Sequence, residues 1–296
     1  MKKATIIAAL LIMSLTCAFA QENQPDTKVF KERYERLVRM LGQDGIGIET
    51  VLDEWAEVAP QDCEMLEARF NYYFERSRQT GVAALAMDKY LGRDPLTALK
   101  DSTGKVYNYF EINVYDDGLF ALATAALRQA ITVKPQEMRY RSLLTNAYIE
   151  YEKENPDIAE SLLLDLIDLN KRTHPAWTLD GTPLSEDDFQ DIIQQYCFVF
   201  FKEATPRTYD IFLNLSETMA KAYPGTTAFQ ANQGSYWLAV KNNPKKALKI
   251  YEKILKTEPD NLDVLKNCVI AARKMGDKAL AGKYQLRYSE AAQKNQ

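Results

Sequence analysis

The stretch Lys246-Ala-Leu-Lys-Ile-Tyr-Glu-Lys-Ile-Leu-Lys-Thr-Glu-Pro-Asp-Asn261 decides the fold. Ala247, Tyr251, Ile254 and Pro259 fall at spacings 0, +4, +7 and +12. Residues at i, i+4 and i+7 share one face of an α-helix, and a following proline ends it. Before it, residues 228–241 read as a partner helix with Ala231, Gly234, Ser235 and Leu238 on one face. Small side chains at Gly234 and Ser235, facing Ala247, let the two helix axes approach to about 8–10 Å. The pattern returns 34 residues on: Leu265, Cys268 and Ala272 form a first-helix face, Gly276-Asp277 a turn, and Ala281, Tyr284 and Tyr288 a second helix. Gly276 suits a left-handed helix end, where other residues are strained. The two units, 228–261 and 262–292, are in one frame.

This pattern, with Gly234, Ala247, Tyr251, Pro259, Gly276 and Ala281 as its marks, resembles the tetratricopeptide-repeat family. The resemblance covers about two thirds of the chain after its first twenty residues. It implies an all-α fold: a right-handed solenoid of helix pairs whose concave groove binds protein or peptide, without cofactor or catalysis. More worn copies lie upstream. Ala123, Leu127, Ala130 and Pro135 repeat the 0, +4, +7, +12 spacing, with Gly118 placed in the preceding turn. Leu144 and Tyr148 lead through a long turn to Ala159, Leu163 and Leu166, and Pro224 closes a helix begun near Pro206. Near the start, Tyr34, Leu37 and Leu41 pair with Ile48, Leu52 and Trp55. Because each pair buries its face on its neighbours, the expectation is a single array over 28–292.

Two inserts break the rhythm, at about 79–117 and 173–184. The first holds the alternating run Val106-Tyr-Asn-Tyr-Phe-Glu-Ile-Asn-Val114 after a glycine turn, which reads as a short β-hairpin near 100–115 or an extended loop. The second, Thr173-His-Pro-Ala-Trp-Thr-Leu-Asp-Gly-Thr-Pro183, runs into Ser185-Glu-Asp-Asp188, a capped helix start. An insert with Asp101-Ser-x-Gly104, a tryptophan-bearing insert and clean terminal repeats are together similar to exported repeat proteins of gut anaerobic bacteria.

The first twenty residues read as a cleaved signal peptide: Lys2 and Lys3, an apolar run from Ile6 to Leu15, then Ala18-Phe-Ala20 before Gln21. Cys17 after Thr16 fits a lipoprotein signal less well. Residues 21–27 read as a flexible leader. The expected compartment is the periplasm, cell envelope or exterior of a Gram-negative bacterium. After Ala20 no apolar stretch reaches membrane-spanning length. Without Lys2 and Lys3, 35 basic side chains face 41 acidic ones, which argues against nucleic acid as a partner. Cys63, Cys197 and Cys268 read as buried thiols, with one disulfide among them left open.

Chemistry has little support. The one histidine, His174, sits before a proline in an insert, far from any nucleophile motif. Gly104-Lys105 lacks the rest of a phosphate loop, and no Cys-x-x-Cys or calcium loop occurs. Asp116-Asp117 and Glu186-Asp187-Asp188 read as helix starts before metal ligands.

Charge and aromatics admit recognition alongside a plain packing or solvation role. Residues 150–191 hold 12 acidic against 3 basic side chains, and residues 241–287 hold 12 basic against 5 acidic. Such polarity steers a complementary partner, supports self-association, or merely solvates outer faces. The expected groove residues are Gln230, Asn232, Gln233, Tyr236 and Asn267; Tyr107, Tyr109 and Trp177 are expected insert contacts. The leading function is an exported protein- or peptide-binding scaffold. The alternatives are a glycan-binding or glycan-processing accessory protein, using the Trp177 insert and a carboxylate pair, and an assembly factor for an outer-membrane complex.

Overall fold

A computed structural model describes residues 26–294. The signal segment 1–20, Cys17, the Ala20-Gln21 junction and most of the 21–27 leader lie outside the described residues. The described residues divide into two compact units, 26–79 with 114–135 and 80–113 with 136–294.

The first unit holds α1 (Lys28–Leu41), α2 (Ile48–Val58), α3 (Cys63–Ser77) and α4 (Asp117–Val133). Ile48, Val51, Leu52 and Trp55 bury one face of α2 at helical spacing. Asp62 caps α3, accepting from the Glu64 amide at 2.9 Å, and its other oxygen takes the Trp55 indole N–H at 3.0 Å. The helices α3 and α4 pack as a pair although nearly forty residues separate them in sequence. The base of that excursion is closed by the Asp116 amide donating to the Ser77 carbonyl at 2.8 Å. Beside it, Phe120 packs on Phe74 and Tyr115 at 6.2 and 6.0 Å. Asp116 also accepts from the Leu119 amide, so the Asp116-Asp117 pair starts a helix, as its sequence suggests. Gly118 lies inside the first turn of α4, not in the turn before it.

The excursion is a three-stranded sheet: β1 (Arg78–Leu85), β2 (Thr97–Lys100) and β3 (Val106–Tyr115), in the order β1-β3-β2. The expected hairpin is β2 and β3, antiparallel, with Thr97 opposite Tyr109 and Lys100 opposite Val106. Asp101 holds its turn by accepting from the amides of Thr103 and Lys105. The third strand, β1, was not expected from its sequence.

The second unit stacks α5 (Met138–Glu152), α6 (Asp157–Thr173), α7 (Glu186–Glu203), α8 (Pro206–Ala222), α9 (Thr227–Ser235), α10 (Pro244–Thr257), α11 (Leu262–Lys274) and α12 (Lys278–Lys294). Neighbours pack in pairs, α5 on α6, α7 on α8, α9 on α10 and α11 on α12. Ala247, Tyr251 and Ile254 are all buried, as are Leu265, Cys268, Ala272, Ala281 and Tyr284, so the apolar faces of both terminal repeats lie in the core. Gly276 takes φ 75° after α11, with the Asp277 amide reaching the Ala272 carbonyl.

One boundary differs. The helix expected over 228–241 leaves α geometry after Ser235, and Tyr236–Val240 form a π turn closed by the Lys241 amide on the Tyr236 carbonyl at 3.1 Å. The mid-chain insert is also ordered. Its strands β4 (Thr178–Leu179) and β5 (Thr182–Pro183) make a two-stranded turn. Glu137, ahead of α5, accepts from the Thr178 hydroxyl and from the amides of Asp180, Gly181 and Arg139. Burial alone would raise that carboxyl, but the four donors hold it below its ordinary range.

Candidate functional site

The residues that face outward between the buried stripes of α7, α9 and α11 converge on one depression of the second unit. It has a volume of about 360 Å³ and is lined by Gln194, Phe198 and Phe201 of α7, Phe212 of α8, Asn232 and Ser235 of α9, and Asp263, Lys266 and Asn267 of α11. Its floor is aromatic: Phe201 lies 4.9 Å from Phe212 and 5.6 Å from Tyr209 between ring centres. One wall is an amide pair. The Gln194 side-chain amide donates to the Asn232 oxygen at 3.1 Å, and Asn232 donates back at 2.9 Å and to the Ser216 hydroxyl at 3.2 Å. These bonds fix both amide planes.

Phe198 stands at the edge with 61% of its surface exposed. The burial of Phe189, Ile193, Cys197 and Phe200 runs at i, i+4, i+8 and i+11, and Phe198 lies out of that phase. Phe198 also lines a second cavity of about 340 Å³, walled by Ile149 and Glu150 of α5, Lys153 just after it, the end of α7, and the insert residues 90–93 and 111–113. The ring is therefore shared by two adjoining concavities. Leaving it exposed forgoes about 2 kcal/mol of burial that a closed core would gain.

Of the expected groove residues, the structure brings Asn232 and Asn267 together. Gln230 is half-buried and turned back on the Pro224 carbonyl at 3.3 Å; Gln233 is half-buried and lines neither cavity. Tyr236 corrects the sequence reading. It is 3% exposed, with its hydroxyl on Asp210 of α8, because a helix inside a stack is buried on two sides. Trp177 is a second correction, at 3% exposure. Its indole N–H donates to Asn170 at 2.8 Å and its ring stacks on Phe189 at an 11° angle, so it anchors the insert and offers no surface. Tyr107 and Tyr109 are half-buried on β3, with Lys105 over the Tyr107 ring, and line neither cavity.

Gln194, Phe198 and Lys266 were missed. The signal for Phe198 was its phase, since it breaks the helical spacing of the other apolar residues on α7. Nothing in the sequence marks Gln194 or Lys266.

No nucleophile is prepared among the described residues. His174 is the exposed left-handed residue that ends α6, with φ 43°. Cys63, Cys197 and Cys268 are all buried, and Cys197 and Cys268 are free thiols. Burial pushes the Cys197 and Cys268 thiols up to about 12, so neither supplies thiolate at neutral pH. Glu186-Asp187-Asp188 starts α7, with Ser185 and Asp188 bonded reciprocally in a capping box. No described helix is long and apolar enough to cross a membrane.

No protein-family model matches the chain, and no curated protein does. Among solved structures, two crystal structures of MamA align with 60% of the chain. They are 14% and 15% identical over 85% and 91% of their own length, with TM-scores of 0.38 and 0.39. The TPR domain of P58(IPK) aligns with 90% of the chain at 12% identity over 65% of its own length, with a TM-score of 0.31. At such scores these are loose likenesses, and the repeat fold rests on the chain's own helix pairs.

Proposed function

We propose that this chain is an exported scaffold that holds an extended or helical segment of another protein in the depression between α7, α9 and α11, and performs no chemistry. One observation carries the reading: Phe198 is exposed where two concavities meet, beside a fixed amide pair. An aromatic ring flanked by satisfied amides is the composition of a binding hot spot, with the ring supplying buried area and the amides main-chain recognition. The segment 1–20 supplies the compartment, the envelope or exterior of a Gram-negative bacterium, and the insert pattern suggests kinship with exported repeat proteins of gut anaerobes. An N-terminus at Gln21 in the protein recovered from cells tests the export.

The glycan alternative used Trp177 as its stacking ring, and the burial of that ring removes its anchor. Assembly of an outer-membrane complex remains one identity for the partner. The test is affinity capture from envelope extract with the wild type and Phe198→Glu. A stoichiometric protein lost with the variant, whose helical circular dichroism is unchanged, supports the reading. Equal capture by both overturns it.

A further inference from the structure

The turn Tyr90-Leu-Gly-Arg93 of the insert rests on the last turn of α7. Tyr90 and Arg93 exchange backbone hydrogen bonds of 3.1 and 3.0 Å, and Leu91 and Gly92 take left-handed φ values of 48° and 72°. The Gly92 backbone lies so close to α7 that a Cβ there would collide with the Lys202 carbonyl oxygen and sit 3.6 Å from the Glu203 Cα. The Tyr90 ring packs on Phe110 at 5.9 Å, which ties the turn to the sheet.

Glu203, the last residue of α7, lies under this turn. Its Oε2 is shielded from solvent and meets no hydrogen-bond donor among the described residues. Cavities of about 340 and 440 Å³ both have Glu203 and residues 90–92 in their walls. A carboxylate without a donor in such a place is costly, and a neutral carboxyl is far less so.

We propose that the Tyr90–Arg93 turn is a proton-operated latch, which holds the insert on α7 while Glu203 is protonated and loosens when Glu203 ionises. The latch deepens the proposed function, because the insert walls the cavity beside Phe198, and its consequence for binding rests on that reading. The charged and titratable groups around Glu203 are Lys89 ahead of the turn, Tyr90 and Arg93 on it, Glu111 on β3, Glu150, Lys153 and Glu154 on and after α5, its neighbour Lys202, and Arg207 of α8 across the second cavity. Burial pushes Glu203 up to about 7, against the pull of Arg93. Below its ordinary value near 4.5 the group is neutral whether or not the turn is docked, and docking is tightest. From there to about 7 the undocked form loses its proton first, so docking weakens as pH rises. Above 7 docking stays at its weak limit.

Hydrogen–deuterium exchange on the full isolated protein, corrected for the intrinsic pH dependence of exchange, tests this without any partner. Protection of the amides in residues 88–112 falls about tenfold or more between pH 5 and 8, while α10 and α11 stay level. Glu203→Gln keeps the acid level of protection throughout. Arg93→Gln, which removes the cation favouring the ionised form, moves the midpoint upward. Wild-type protection that is flat or rises with pH overturns the latch, as does a slope retained in Glu203→Gln or a lowered midpoint in Arg93→Gln. Because no ligand is involved, these results stand apart from the fate of the peptide-binding reading.

Discussion

Gly234 lies directly against the ring of Tyr251. A Cβ at Gly234 would come within 2.7 Å of the Tyr251 Cζ and 2.9 Å of its Cδ1, while the Ser235 hydroxyl sits 3.2 Å from the Tyr251 hydroxyl. Tyr251 is fully buried and cannot swing away. Alanine in mid-helix ordinarily gains up to about 1 kcal/mol over glycine, but here the added methyl overpacks the α9–α10 crossing. Gly234→Ala is expected to destabilise the second unit by about 1–3 kcal/mol. Urea unfolding followed by circular dichroism checks it; an unchanged or raised midpoint contradicts the close-approach account.

Glu137 gives a prediction with the opposite pH sense to Glu203. Its carboxyl is held below the ordinary range, so its contribution is fully present above that range and disappears as pH falls through its lowered value. Glu137→Ala leaves the amides of Asp180 and Gly181 without their acceptor. The expected cost is about 1–3 kcal/mol at pH 7, narrowing toward acid. Thermal melts of wild type and variant from pH 3 to 7 measure the gap, and a gap that widens toward acid would refute the assignment.

The buried thiols make a third. Cys197 is fully buried and shares its sulfur with the Ser216 hydroxyl at 3.8 Å, and Cys268 is equally enclosed. With both thiols raised to about 12, native protein at pH 8 should leave Cys197 and Cys268 unlabelled by iodoacetamide and take up label at both after denaturation. Rapid native labelling at either position, read by peptide mass, would contradict the packing of α7 on α8 or of α11 in its core.

The terminal repeats were legible because burial there follows residue type: Ala247, Tyr251, Ile254 and Leu265 are apolar and all point inward. Tyr236 and Trp177 were misread for one physical reason. A polar tip on a large ring suggests a surface, yet both tips find internal partners, Asp210 and Asn170, and their rings fill the core. The strand β1 was hidden because Arg78-Gln-Thr-Gly-Val-Ala-Ala-Leu85 has little β propensity of its own and becomes a strand only by pairing with β3. Phe198 was hidden in a different way. Counting apolar residues on α7 assigns it to the core, and only its phase against Phe189, Ile193 and Phe200 places it outside.

That exposed ring carries the account, and its partner is the thing to find. A photoreactive phenylalanine analogue at position 198, compared with one at the exposed Leu286 of α12, reports what each surface touches in intact cells. The account predicts a discrete crosslink from position 198 to one envelope protein, absent at position 286, and an affinity for the crosslinked segment that falls about thirtyfold, or about 2 kcal/mol, in Phe198→Ala. Crosslinks at position 198 that match those at position 286, or an affinity untouched by Phe198→Ala, would contradict it.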